Sequence, residues 1–96
     1  MKTTPEKRRE ERFMMEVPVN LDSGMGVSRD ISQSGIYFIT DQHFQPGGDV
    51  RFSVKLDYAR SGKPVRLDCQ AQVLRVEPND GSFGVAARIN NFWCVH

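Results

Sequence analysis

The chain has 96 residues, 39% of them hydrophobic, which fits a single soluble globular domain rather than a disordered segment. A formal net charge of +1 excludes an overall field that would attract nucleic acid or anionic lipid, so any anion site must be a local cluster of cations. No apolar run approaches the roughly 18 residues of a membrane span. No signal peptide is recognisable, and Cys69 and Cys94 are too few for a disulfide framework, so we expect a cytoplasmic protein with free thiols.

Residues 1–12 are polar and lack apolar periodicity, which predicts a flexible arm. This arm carries the only dense group of cations in the sequence, diluted by three glutamates: Lys7, Arg8, Arg9 and Arg12. Guanidinium groups form two-pronged hydrogen bonds with phosphates and with guanine edges. Charged terminal segments are usually only solvated, so the arm alone does not establish a binding site.

Almost all of residues 13–96 alternates between apolar and polar side chains, which is the two-residue period of β-strands. The first strand is predicted over Phe13–Leu21, with its apolar residues on one face. The second is predicted over Gly26–Ser32, where Val27 and Ile31 are expected to face the core.

Four further strands are predicted over Ile36–Thr40, Val50–Asp57, Val65–Val76 and Phe83–Ile89. The apolar parity changes at Leu74, which predicts a β-bulge near Val73. The sequence Asn79-Asp80-Gly81 favours a tight hairpin turn between the last two strands. The residues between Asp41 and Gly48 are predicted to form a loop.

Six strands joined by short connections predict an antiparallel all-β fold, because parallel strands need crossovers of a dozen or more residues. A small antiparallel sheet of this size closes into a barrel or split barrel, which removes its exposed edges. Residues 90–96 are predicted to be a tail whose Phe92 and Trp93 cover an open end of the barrel. No metal-ligand cluster and no nucleophile–base set is recognisable, His43 is expected at the surface, and neither an enzyme nor a metal site is predicted.

A second polar string, Asp30-Ile31-Ser32-Gln33-Ser34-Gly35, ends the second predicted strand. Residues two apart in a strand point to the same side, so Asp30 and Ser32 are expected to face outward together. Gly35 permits a backbone bend or the close approach of a ligand. A hairpin joins the first two strands, so the arm can fold back across this outward platform. An ordinary polar strand end explains the same residues without any ligand.

The two strings together resemble the PilZ domain family. That family pairs an RxxxR motif just before the first strand with a [D/N]xSxxG motif further along a small antiparallel barrel. Here the motifs are Arg8-Arg9-Glu10-Glu11-Arg12 and Asp30-Ile31-Ser32-Gln33-Ser34-Gly35, with further similarity at Phe44-Gln45-Pro46-Gly47, Val73–Val76 and Phe83-Gly84-Val85. The resemblance therefore extends from about residue 6 to residue 90.

The resemblance implies an all-β, six-stranded antiparallel barrel of the split-barrel type over residues 13–96, preceded by the flexible arm 1–12. It also implies a bacterial receptor that binds cyclic di-GMP, needs no cofactor, performs no catalysis and signals to an unidentified protein effector. The implied ligand-binding residues are Arg8 and Arg12 as clamps, Arg9 as an auxiliary clamp, Asp30 as acceptor from guanine N–H groups, Ser32 with a hydrogen bond through its hydroxyl, and Gly35 as steric clearance.

Three alternatives stay open. The motif register can place Arg12 and Glu16, rather than Arg8 and Arg12, at the family positions. The Arg8/Arg12 register is preferred because Phe13–Leu21 alternates as one strand that starts just after Arg12. The domain can also be a protein-interaction module that binds no nucleotide. A barrel that binds single-stranded nucleic acid requires a basic groove with stacking aromatic residues. It is disfavoured because the net charge is only +1 and because Tyr37 and Phe38 are the sole candidates for exposed aromatic residues on the early strands.

Overall fold

The computed structural model describes residues 15–32, 34–57 and 64–95. These residues form six strands: β1 (Pro18–Leu21), β2 (Gly24–Ile31), β3 (Gly35–Thr40), β4 (Asp49–Asp57), β5 (Pro64–Asn79) and β6 (Ser82–Val95). All neighbouring strands are antiparallel, and their order is β1-β2-β3-β6-β5-β4. Strand β4 also pairs with β1, so the barrel is closed. The predicted all-β, six-stranded antiparallel barrel is confirmed.

The core fills the barrel with the inward-facing apolar residues of all six strands. The largest fully buried apolar side chains are those of Val19, Phe38, Val54, Val73 and Val85. The loop that joins β3 to β4 brings a further ring, Phe44, against Phe38, with the two ring centroids 6.1 Å apart and the rings nearly perpendicular. This edge-to-face contact anchors the loop to the core.

The first two strands differ from the prediction. Strand β1 begins at Pro18, Met15–Val17 precede it without being part of the strand, and Phe13 lies outside the described residues. The preferred motif register assumed a strand that starts just after Arg12, and this assumption fails for Met15–Val17. The register therefore rests on the spacing of the arginines alone.

The predicted core position of Val27 is also wrong, because its side chain is 44% exposed. The reason is a β-bulge at Arg29: Ser28 pairs with Phe38 and Asp30 pairs with Tyr37, so that Arg29 is one extra residue. The bulge reverses the alternation, and the inward residues are therefore Ser28 before it and Ile31 after it.

The second half of the chain shows the predicted bulge and hairpin. Leu74 is the extra residue of a bulge in β5, between the pairs Val73–Ala87 and Arg75–Ala86. Asp80 and Gly81 at the β5–β6 turn have positive φ angles of 48° and 84°, as a two-residue hairpin turn requires.

The predicted tail is wrong, because β6 continues as a strand to Val95. It remains paired with β5 after a register shift near residue 90, with Leu67 opposite Cys94. Phe92 and Trp93 consequently lie on a strand and are 51% and 50% exposed, so they do not cover the end of the barrel.

Both cysteines are free thiols, as predicted. Cys69 is buried inside the barrel, and Cys94 is exposed. Burial, aided by the negative charge of Asp68 and by Cys94, raises the pKa of the Cys69 thiol to about 11. The thiol therefore stays protonated at neutral pH.

Candidate functional site

A row of paired residues crosses four strands on the outer face of the barrel. Asp30 of β2 pairs with Tyr37 of β3, Tyr37 pairs with Ala86 of β6, and Ala86 pairs with Arg75 of β5. Neighbouring strands are about 4.8 Å apart, so the two ends of the row, Asp30 and Arg75, are separated by about 14 Å of sheet. Because the side chain of Ala86 is small, the surface is depressed in the middle of this row.

A β-bulge precedes the residue at each end of the row. Arg29 is the extra residue before Asp30, and Leu74 is the extra residue before Arg75. With strict alternation, Asp30 would share the inward face of Ser28, and Arg75 would share that of Val73. The two bulges therefore turn one carboxylate and one guanidinium group out of the core and toward the same surface.

A cavity of about 520 Å³ lies over this row. This volume is within the range of small-molecule sites, roughly 300–1,000 Å³. The described residues that line it come from β2, β3, β5, β6 and the β2–β3 turn: Asp30, Ser32, Ser34, Gly35, Ile36, Tyr37, Leu74, Arg75, Glu77, Ala86, Ala87 and Arg88. The predicted proximity of Asp30 and Ser32 is thus observed, and Gly35 lies beside them.

The β2–β3 turn holds the second motif in a compact shape. The Ser32 N–H donates a hydrogen bond of 2.9 Å to the Gly35 carbonyl, and the Ser32 hydroxyl lies 3.5 Å from the same oxygen. The Ile89 N–H donates a bond of 2.8 Å to the Ser34 carbonyl, which ties the turn to β6. A Cβ atom at Gly35 would lie 3.3 Å from the Ala87 carbonyl, so a side chain there would crowd the cavity wall.

The predicted arginines Arg8, Arg9 and Arg12 lie outside the described residues, but the chain that leads to them does not. The Ser28 N–H donates to the Val17 carbonyl at 3.0 Å. This bond continues the antiparallel pairing of β1 with β2 by one residue beyond Pro18. Glu16 is exposed and is not among the described residues that line the cavity.

Three charged residues of the lining were not found from the sequence. They are Arg75 and Glu77 of β5 and Arg88 of β6. Arg75 Nε lies 3.0 Å from a Glu77 carboxylate oxygen, and Arg88 pairs with Gly35. These charged residues occupy ordinary outward positions of long strands, and only the change of parity at Leu74 pointed to this region.

Tyr37 forms part of the floor because Gly84 makes room for its ring. Gly84 lies on the outer face of β6, since its neighbour Val85 points into the core, and it is nevertheless buried. A Cβ atom at Gly84 would lie 2.7 Å from Tyr37 Cζ and still closer to the hydroxyl oxygen. The tyrosine ring therefore covers the glycine.

The charges of the described lining balance. Asp30 and Glu77 each contribute one negative charge, and Arg75 and Arg88 each contribute one positive charge. An anionic ligand would therefore need cations beyond those of the described lining. The described residues contain no group of three or more His, Cys, Asp or Glu side chains arranged to hold a metal ion. No helix that could cross a membrane occurs in the described ranges.

Comparison with known proteins agrees with this architecture. The family model for the PilZ domain matches residues 6–91. Among solved structures, the Bacillus subtilis inhibitor of motility (MotI/DgrA) superimposes with a TM-score of 0.77 at 18% sequence identity. The match covers 93% of this chain and 45% of that protein, so this chain spans less than half the length of its structural neighbour. No curated protein matches the chain. At this identity the structural likeness shows a shared fold.

Proposed function

The chain belongs to the PilZ domain family, and on this premise we propose that it is a bacterial cytoplasmic receptor that binds cyclic di-GMP and carries out no chemistry. The observation that carries the proposal is the position of Asp30, Ser32 and Gly35 on one wall of a 520 Å³ cavity. In this proposal the arginine-bearing arm, which precedes Met15 in the chain, reaches the same wall. The two strings that are separate in the sequence thus belong to one proposed site.

Each motif residue has a chemical role in this proposal. The Asp30 carboxylate accepts hydrogen bonds from the N–H groups of a guanine edge, and the Ser32 hydroxyl contributes a further bond. Gly35 gives clearance for the ligand beside the β6 backbone. Tyr37, at the floor of the cavity, offers an aromatic surface to a purine ring.

The charge balance explains why the arm is needed. The ligand carries two negative charges, whereas the described lining has no net charge. Arg8 and Arg12 supply the clamping guanidinium groups and Arg9 an auxiliary one, because a guanidinium fork suits both phosphate oxygens and guanine edges. Ligand binding therefore recruits the arm to the outer face of the barrel.

Recruitment of the arm is also the proposed signal. An order–disorder or docking transition of a terminal segment changes the surface that a partner protein meets. We propose that an effector protein distinguishes the barrel with its arm over the cavity from the barrel without it.

Isothermal titration with cyclic di-GMP tests the proposal. The wild type is expected to bind, and Arg8→Ala and Asp30→Ala are each expected to weaken binding at least about tenfold, since each removes a charged hydrogen-bonding partner. Arg51→Ala, an exposed arginine of β4 outside the cavity lining, is the matched control and should bind like the wild type. Absence of binding by the wild type contradicts the proposal.

The motif register is tested with the same titration. In the Arg8/Arg12 register, Glu16→Ala leaves the affinity nearly unchanged, because Glu16 does not belong to the clamp. A large effect of Glu16→Ala, with no effect of Arg8→Ala, would instead assign the family positions to Arg12 and Glu16.

A second candidate function is a protein-interaction module without a nucleotide ligand. The specific observation in its favour is the pair Phe92 and Trp93, which are half exposed on β6. A thermal-shift series separates the two functions, because a ligand that binds the folded state must raise the melting temperature. No shift with saturating cyclic di-GMP would favour the interaction module.

A further inference from the structure

Ser28 is one of two buried polar residues in the described part of the chain, the other being Thr40. It is 0% exposed and points inward from β2, immediately before the bulge at Arg29. Its hydroxyl donates a hydrogen bond of 2.7 Å to the Met15 carbonyl and accepts one of 3.0 Å from the Val17 N–H. A buried hydroxyl is tolerated only when it is hydrogen-bonded, and here both of its bonds go to the chain that leads to the arm.

The Ser28 bonds replace regular strand pairing at this point. Pairing between β1 and β4 begins only at Val19, and Met15–Val17 are not part of a strand. Two side-chain bonds and the backbone bond from the Ser28 N–H to the Val17 carbonyl therefore hold this short segment against β2. We call this set of three bonds the Ser28 clip.

From this geometry we infer that Ser28 is a positioning residue, which fixes the direction in which the chain before Val17 leaves the barrel. It thereby raises the affinity of the cavity for its ligand, although Ser28 itself does not line the cavity. The inference rests on the proposed function. Arg12 is only three residues before Met15, a distance of at most about 11 Å of extended chain. The clip holds the Met15 carbonyl 2.7 Å from the Ser28 hydroxyl, and Asp30 follows Ser28 by two residues. Three residues of chain are therefore long enough to bring Arg12 to Asp30.

Loss of the clip adds an ordering cost to binding. Without it, Met15–Val17 must be immobilised when the ligand recruits the arm, and each residue fixed in one backbone conformation opposes binding. We therefore expect Ser28→Ala to weaken the binding of cyclic di-GMP by about tenfold or more.

Thr40 provides a matched control for the loss of a buried hydroxyl. It is 3% exposed, and its hydroxyl donates to the Met25 carbonyl at 2.8 Å and accepts from the Gln42 N–H at 3.1 Å. The chemistry equals that of Ser28, but Thr40 lies at the far end of β3 from Gly35. Thr40→Val should lower the melting temperature without changing the affinity for the ligand.

The experiment combines titration with amide hydrogen exchange of the free protein. For Ser28→Ala we expect faster exchange at the Val17 amide together with weaker binding, and for Thr40→Val neither effect. Ser28→Cys, whose thiol fills the site but bonds weakly, keeps the test available if the alanine variant does not fold, and it should lie between wild type and alanine in both measurements.

Two outcomes overturn the inference. The first is unchanged exchange at Val17 in the Ser28 variants. The second is a loss of affinity in Thr40→Val as large as that in Ser28→Ala, which would make the effect one of general stability. If the wild type itself does not bind cyclic di-GMP, the proposed function fails, and hydrogen exchange alone still decides whether Ser28 holds the segment.

Discussion

The contact between Gly84 and Tyr37 supports a double-mutant experiment. Gly84→Ala is expected to destabilise the wild type but to stabilise a variant that lacks the Tyr37 ring. A Cβ atom at position 84 would lie 2.7 Å from Tyr37 Cζ and 3.3 Å from Cε1, closer than side chains normally pack. Gly84→Ala must therefore displace the tyrosine ring or the β3–β6 pairing. Overpacking of this kind costs about 1–3 kcal/mol. In a domain of this size each kcal/mol corresponds to roughly 4–8 °C in melting temperature.

In a Tyr37→Ala background the obstacle is removed. Replacement of a strand glycine by alanine then reduces the backbone entropy of the unfolded chain and stabilises the protein by about 0.5–1 kcal/mol. Denaturant unfolding of the wild type, the two single variants and the double variant measures this difference. The coupling energy is expected to be about 1.5–4 kcal/mol, the sum of the two effects.

The reasoning is refuted if Gly84→Ala costs the same free energy of unfolding in both backgrounds. Such a result would mean that the ring moves aside freely or that the strain arises elsewhere in β6. The same variants also report on the site. Tyr37 lines the cavity, so a displaced ring should weaken cyclic di-GMP binding in Gly84→Ala.

Two further predictions concern charge and thiol chemistry. Glu77→Gln frees the Arg75 guanidinium from its ion pair and removes a negative charge from the cavity wall, so titration should show cyclic di-GMP binding about three- to fivefold more tightly. Asp68→Asn breaks the Arg66–Asp68 ion pair elsewhere on β5 and should leave the affinity unchanged. An equal gain of affinity in both variants would contradict a local effect. At pH 8 a chromogenic thiol reagent should modify Cys94 rapidly and Cys69 only after unfolding, because the pKa of the buried thiol is raised to about 11. Since the thiol of the unfolded chain has its ordinary pKa of 9.0, the stability that burial of Cys69 contributes is complete below pH 9 and declines as the pH rises toward 11. Two equally reactive thiols at pH 8 would argue against burial.

Local patterns in the sequence predicted most of the fold. Period-2 alternation identifies strands wherever one face is buried, and Asn79-Asp80-Gly81 specifies a turn whose residues need positive φ. The bulge at Leu74 could be predicted because the alternation of apolar residues before it is out of step by one residue with the alternation after it. The closed barrel followed from the number of strands and the short connections between them.

The errors had physical reasons. Val27 and Ile31 are apolar and four residues apart, so they mimic one face of a regular strand, and the serine that actually faces the core gave no apolar signal. Phe92 and Trp93 lie on β6, where they extend the pairing with β5 although the alternation is lost. Apolar periodicity does not reveal an inward hydroxyl or an outward aromatic residue.

The part of the candidate site that contains the second motif could be predicted from the sequence. Asp30, Ser32 and Gly35 are adjacent in the chain, and their proximity follows from one strand and one turn. Arg75 and Arg88 reach the same cavity only through the register of β6 against β3 and of β5 against β6, which depends on pairing between distant residues. No local motif encodes that register.

The bulges have a consequence for how this surface tolerates insertions and deletions. Arg29 is the one unpaired residue of the β2–β3 ladder, and Leu74 is the extra residue of β5 at one of the two irregular points of the β5–β6 ladder. Deleting either one joins residues that already alternate correctly, with Asp30 or Arg75 still on the outer face, whereas deleting a paired residue nearby turns the rest of the strand over. Relatives that are one residue shorter at these two points therefore retain the cavity, and single-residue gaps in an alignment should collect there.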